Sequence, residues 1–260
     1  MTFAEALKLE TSPSGELAWN VPEGWQQGRG AFGGLTLSLL AHAAASTIDA
    51  RERPLRTLTG EIPGAVLVGP ARVKVTPLRL GHGLSTLAAQ VEQGADVVAH
   101  AVLNFGRLRV ADADAAGTVA TFPPFDGVAA SHPTGVGAAF TSHFEYRPVT
   151  GKPYSGAAEP LVEGWVRLRD PGDVPAPVAL LAMIDAWFPA IVPTLKERRP
   201  FGTISFAAHV FDRGWVPGEP LFHRARLLAS QQGYFVELRE LFTPKGELAA
   251  VNQQTMAIIK

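Results

Sequence analysis

The chain reads as an α+β protein built from two tandem units, each an antiparallel sheet wrapped around one helix. Two observations predict this. An almost uncharged helical run is followed by several strand-like runs, and the same order then repeats in the second half of the 260 residues. A helix with no polar face must be buried, and a curved sheet can bury it.

The first helix is expected from about Gly33 to Asp49, with no Lys, Arg, Asp or Glu between Gly33 and Ile48. Strands are expected at Arg56–Ile62, Ala71–Thr76, Leu84–Val91 and Val97–Phe105, where β-branched residues and alternation favour extended chain. The second helix is expected from Pro177 to Phe188. Proline suits a first helical turn, and Pro189 disfavours helical geometry at the residue before it. Its strands are Thr203–Phe211, Leu221–Leu228, Tyr234–Phe242 and Leu248–Ile259, and the segments 140–146 and 163–168 open the second sheet. Gly94 and Gly246 sit at matching hairpin turns, where glycine permits the required φ. The expected units are 1–110 and 138–260, joined by a Pro/Gly-rich linker over 111–137.

Composition narrows the function classes. Hydrophobic residues make up 47% of the chain and charged residues 18%, enough for a large core. A formal net charge of -1 gives no basic footprint for nucleic acid. With no cysteine there is no disulfide, thiolate zinc site or Cys nucleophile. The N-terminal residues carry acids and no apolar core, unlike a secretory signal. The two apolar segments, 31–48 and 174–195, hold polar residues or several prolines and do not read as membrane spans.

One carboxylate stands out. From Val174 to Leu195 the only charged side chain is Asp185. An ionised Asp buried without partners is very costly, so Asp185 is either a paired core acid or a group kept for chemistry.

Gly30-Ala-Phe-Gly33-Gly34 before an Ala-rich helix, together with a second half built as described, resembles the double-hotdog acyl-CoA thioesterases of the thioesterase II type. The resemblance covers most of the chain apart from the linker. It implies a double-hotdog fold, hydrolysis of acyl-CoA to free acid and CoA, and no cofactor beyond the CoA of the substrate. It also implies a catalytic set of an Asp on the second helix, a Thr at the start of the next strand and a Gln in the last strand. These fall on Asp185, Thr203 and Gln254. Strand alternation alone does not choose between Gln253 and Gln254; the resemblance does. The family commonly has Asp-His soon after the Thr, where this chain has Ser205-Phe206. It often has an aromatic-His pair at the strand end, where this chain has Val210-Phe211. Both departures bear on substrate preference.

Overlaying the two halves puts Asp185 near Leu39 or Leu40, Gln254 near Leu103 and Thr203 near Thr57, so one working site per chain is expected. In that site Asp185 is the general base on water, and Thr203 and Gln254 hold the water. Backbone N–H groups of Gly33 and Gly34 at a helix start receive the oxyanion. Alternative readings are a hydratase or dehydratase of the same fold and a non-catalytic acyl-binding protein. Exposed strand edges and the resemblance lead us to expect a homo-oligomer, a dimer first, in the cytoplasm.

Several lookalikes carry less. Gly28-Arg-Gly30-Ala-Phe-Gly33 matches a dinucleotide fingerprint but no buried strand precedes it. Ser155 lacks a nucleophile elbow. The histidines His42, His82, His100, His132, His143, His209 and His223 have no metal-ligand spacing, although His209 is placed where it could line a pocket. The clusters Arg51, Arg53, Arg56 and Lys196, Arg198, Arg199 read as solvated loop cations or as contacts for CoA phosphates.

Overall fold

The computed structural model describes every residue except 13–14, 110–116, 132–137 and 260. His132 and parts of the expected linker therefore lie outside the described residues. The elements run α1 (Phe3–Ala6), β1 (Leu9–Thr11), β2 (Leu17–Val21), β3 (Gln26–Gln27), β4 (Gly30–Ala31), α2 (Gly33–Ala45), β5 (Leu55–Glu61), β6 (Gly69–Leu80), β7 (Leu84–Gln93) and β8 (Asp96–Gly106). The second half has β9 (Phe144–Thr150), β10 (Leu161–Leu168), α3 (Ala176–Asp185), β11 (Phe201–Val210), β12 (Leu221–Gln231), β13 (Tyr234–Phe242) and β14 (Leu248–Ile258).

Twelve strands form one sheet in the order β1-β2-β6-β7-β8-β5-β11-β14-β13-β12-β10-β9. Each half contributes six, and the halves join where β5 pairs antiparallel with β11, from Glu61 opposite Ser205 to Thr57 opposite His209. The order reads outward from this seam in the same way on both sides, as the internal repeat requires. Helix α2 packs on strands of the first half, α3 on strands of the second, and the two helices pack on each other. From Val178 to Asp185 every residue of α3 is buried, as are eleven residues of α2.

The helices touch through a seam that only small residues allow. The Ser38 hydroxyl donates to the Val178 carbonyl across it at 2.9 Å. A Cβ added at Gly34 would stand 2.9 Å from Ala182 Cα and 2.5 Å from the Phe32 ring. Gly34→Ala is therefore expected to destabilise the fold by about 1–2 kcal/mol, overpacking outweighing the better helix propensity of alanine. A urea melt checks this; an unchanged or higher midpoint would contradict it.

Both helices end earlier than expected. Beyond Ala45 the hydroxyls of Ser46 and Thr47 turn back to the carbonyls of Ala43 and Ala44, a local alternative to further helix. Helix α3 stops at Asp185, which sets that carboxylate at the helix's C-terminal end. The N-terminal edge pair β1–β2 was not expected; these strands are short and gain their place only by pairing of Leu17–Val21 with β6.

The described part of the linker, 117–131, is not loose. Phe122 stacks on Phe222 at 4.1 Å, Phe125 meets Trp165 edge-on, and the Trp165 indole donates to the Pro123 carbonyl. Trp165, Phe222 and Phe242 form a separate apolar cluster that this segment covers, removing aromatic surface from water.

Candidate active site

Asp185 and Thr203 stand at the wall of one cavity of about 800 Å³, and Gln254, hydrogen-bonded to Thr203, is buried behind that wall. Both halves line it: Gly33, Ile62 and Val66 from the first, and Asp185, Trp187, Phe188, Thr203 and Met256 from the second.

Strand irregularity places Thr203. On β11 the inward residues Phe206, Ala208 and Val210 are even-numbered, so strict alternation would turn Thr203 outward. The pairing with β14 shifts register between Thr203 and Ser205. This bulge reverses the alternation and re-aims the side chain. The Thr203 hydroxyl donates to Gln254 Oε1 at 3.3 Å. Gln254 is 1% exposed while Gln253 faces outward, which settles what alternation left open.

The Gln254 amide nitrogen donates to Glu237 Oε1 at 3.2 Å, and the amide lowers the proton affinity of the nearby Asp185 carboxyl. An NH₂ group has two hydrogens, and carboxylates only accept, so this orientation of the amide is the one its neighbours require. Asp185 Oδ1 receives Arg239 Nη1 at 3.0 Å. Glu237 receives Arg239 Nε at 2.6 Å and, through its other oxygen, the backbone N–H of Ala190 at 2.7 Å. The result is a buried chain of polar groups: Thr203, Gln254, Glu237, Arg239 and Asp185.

Glu237 and Arg239 were not singled out from the sequence. The signal was present: on β13 they alternate with outward residues and share the inward face with Phe235 and Leu241. An acid and a base two apart on the core face of a strand must satisfy each other or a partner.

Burial raises the Asp185 carboxyl from its ordinary value to about 6. Arg239, Gln254 and the Gly34 N–H pull it down, and Glu237 pushes it up. Gly33 lines the cavity and Gly34 does not, while the Gly34 backbone N–H favours the ionised form of Asp185. A Cβ on Gly33 would stand 2.9 Å from Asp185 Oδ2; only glycine leaves the carboxylate its place. Asp185 is therefore held between the C-terminal end of its own helix and the N-terminal end of α2, whose N–H groups favour an anion.

The pairing registers give the first-half counterparts. Glu237 pairs with Gln254 and Arg239 with Asn252, as Leu87 pairs with Leu103 and Ala89 with Ala101. The first half has a matching bulge between Leu55 and Thr57. With both bulges counted, Thr203 overlays Leu55, which faces Phe105 as Thr203 faces Met256. The overlay on Thr57 is two residues out, since Phe206 matches Leu58 and Thr203 matches Leu55 by the same offset. Leu55, Leu87, Ala89, Ala101 and Leu103 are all buried, and α2 has no acidic residue. The polar constellation is confined to the second half.

The lookalikes resolve locally. Gly28 and Gly30 belong to the β3–β4 hairpin, and every strand pair among the described residues is antiparallel, unlike a dinucleotide fold. The Ser155 hydroxyl donates to the Lys152 carbonyl. His209 is exposed on the outer face and does not line the cavity. Of the basic clusters, Arg199 borders the cavity, joined by Arg29, which the sequence reading did not mark.

Family models match almost the whole chain: one for the acyl-CoA thioesterase N-terminal domain over residues 21–106 and one for the acyl-CoA thioesterase C-terminal domain over 115–258. No curated protein sequence matches. Among solved structures, a hotdog-fold protein of unknown function from Alicyclobacillus acidocaldarius is similar at 22% identity and TM-score 0.85, covering 99% of this chain and 98% of that one. Acyl-CoA thioesterase II TesB2 from Mycobacterium marinum is similar at 21% identity and TM-score 0.80, with 99% and 98% covered. The dehydratase domain of PpsC from Mycobacterium tuberculosis is more distant, at 14% identity and TM-score 0.57, with 98% and 99% covered. The fold is a double hotdog, and the chain belongs to the acyl-CoA thioesterase family.

Proposed function

We propose that this chain hydrolyses acyl-CoA thioesters to a free acid and CoA, with water activated at Asp185. The observation that carries this reading is a buried carboxylate at the cavity wall whose proton affinity is raised to about 6. Such a group is ionised at neutral pH yet basic enough to take a proton.

In this mechanism Asp185 takes a proton from a water held with Thr203 and Gln254. The hydroxide equivalent bonds to the thioester carbonyl carbon. The oxygen that gains charge lies against the Gly33 N–H at the start of α2, a fixed dipole aimed where charge develops. The C–S bond then breaks, and the CoA sulfur leaves with the proton from Asp185. The aromatic wall of Phe140, Tyr154, Trp187 and Phe188 takes the acyl group. Arg29 and Arg199 at the cavity suit CoA phosphates. The setting proposed is the cytoplasm, with CoA entering only as part of the substrate and the chain self-associating as a dimer.

A lyase reading is disfavoured because no described histidine lines the cavity to pair with the carboxylate. Mass analysis of products from saturated and 2-enoyl-CoA substrates tests this. Free acid and CoA are expected from both; a 3-hydroxyacyl-CoA product would replace the hydrolase reading. The same assay across pH should show kcat/KM rising tenfold per unit below about 6 and levelling above it. A profile flat from pH 5 to 8 would contradict the assignment of Asp185 as base.

A further inference from the structure

The buried guanidinium beside Asp185 is shared unequally. Arg239 gives Nε and Nη2 to the same oxygen of Glu237, both at 2.6 Å, and only Nη1 to Asp185, at 3.0 Å. Nη1 also reaches the Ile184 carbonyl at 3.3 Å, which ties the guanidinium to the last turn of α3. Glu237 is held from three sides, by Arg239, by the Gln254 amide and by the Ala190 N–H. Neither member of this pair is exposed by more than 1%.

Such an arrangement is costly to bury and is rarely the cheapest way to fill a core. The first half shows the apolar solution: Leu87 and Ala89 take the equivalent register positions. The second half keeps the charges where it also keeps Asp185.

We propose that Glu237 and Arg239 are positioning residues for Asp185: Glu237 anchors the guanidinium and takes up most of its charge, so that one N–H aims the Asp185 carboxylate into the cavity and leaves it available as a base. An Arg paired with Asp185 alone would fix the carboxylate as a plain ion pair and weaken it as a base. This inference rests on the reading of Asp185 as the base.

The other groups around the carboxylate do not supply this balance. On β9 the Tyr146 phenol donates to the Ala186 carbonyl and is kept neutral by burial. On β12 His223 is kept neutral by burial and by Arg239. Helix α2 presents only backbone N–H groups there, while Thr203 and Gln254 on β11 and β14 are uncharged. Arg239 and its partner Glu237 form the ion pair that packs against the carboxylate.

The test is Glu237→Gln, which keeps the side-chain shape and leaves Arg239 paired with Asp185. In the acyl-CoA assay the acidic limb of kcat/KM should move down by about one pH unit, and the plateau rate should fall. A readout without turnover runs beside it: the stability difference between Asp185→Asn and its parent, followed from pH 4 to 8, with and without Glu237→Gln. Its midpoint should move down by the same amount. An unchanged midpoint and limb in folded Glu237→Gln would overturn the proposal. If Asp185→Asn itself keeps turnover, the base reading fails, and the stability midpoint still reports whether Glu237 governs the carboxylate. Arg239→Lys gives a second check: it keeps a charge but not the fork, and should restore neither the wild-type limb nor the wild-type plateau. Wild-type kinetics in that variant would also overturn the proposal.

Discussion

Asp185→Asn is expected to give a protein that is more stable than its parent and has lost thioester hydrolysis by a factor of at least about 10³. The stability gain follows from linkage. The folded carboxyl titrates at about 6 against 3.8 for the free group. Between those values the folded state binds more protons than the unfolded state, so stability falls as pH rises through that window. Above about 6 the loss is complete and amounts to roughly 3 kcal/mol, two pKa units at about 1.4 kcal/mol each. An amide in that place carries no charge to desolvate and still accepts from Arg239. The variant should therefore gain up to about 3 kcal/mol at pH 8 and almost nothing at pH 4. Urea melts at the two pH values decide it. Equal stability at pH 8 would mean that the carboxylate is not strained by burial.

Arg239→Met is expected to have the opposite sign and a larger effect. It leaves Glu237 and Asp185 buried near each other without their shared cation. Removing one partner of a buried ion pair costs about 3–5 kcal/mol. The penalty should be greatest at pH 8, where Asp185, already raised by burial, loses the cation that favours its ionised form, and smaller at pH 5. The sign follows from the same rule: carboxyls whose folded affinity for protons is raised destabilise progressively as pH rises. Adding Glu237→Gln to Arg239→Met should recover a large part of the loss, because the unpaired charge is then gone. Additive or worse destabilisation in the double variant would mean that the pair is not coupled in this way.

The fold was legible because its signals are local and repeated. Uncharged helices, alternating strands and the turns at Gly94 and Gly246 each announce themselves within about a dozen residues. The strands β1 and β2 do not, since strands of three and five residues at the sheet edge exist only through their partners. The aromatic cover supplied by Phe122 and Phe125 was hidden for a similar reason: the linker's composition reads as loop, and its role depends on Trp165 and Phe222 far along the chain.

The site was legible in part. Asp185 showed itself as a lone charge in an apolar run. Thr203 and Gln254 came from the family resemblance, and their convergence depends on a bulge at Ile204 that no alternation rule supplies. The first half carries the same bulge at Arg56, so the counterpart of Thr203 is Leu55, two residues from the Thr57 expected by overlaying the sequences. Glu237 and Arg239 were within reach, because the alternation of β13 puts both on the face shared by Phe235 and Leu241. Charged residues on a strand are ordinarily assigned to solvent, and that habit concealed them. Gly34 shows the limit of reading a helix start from sequence: of the adjacent pair Gly33 and Gly34, only Gly33 lines the cavity.

The most direct measurement is free-thiol release from a panel of acyl-CoAs, short, long and aromatic, by wild-type protein and by Asp185→Asn at pH 8. Turnover by wild type on at least one member, collapsing in a variant that remains folded, is the predicted result, and the panel would then name the acyl class that the aromatic cavity accepts. Undiminished turnover in Asp185→Asn, or none by folded wild type on any member, would contradict the account.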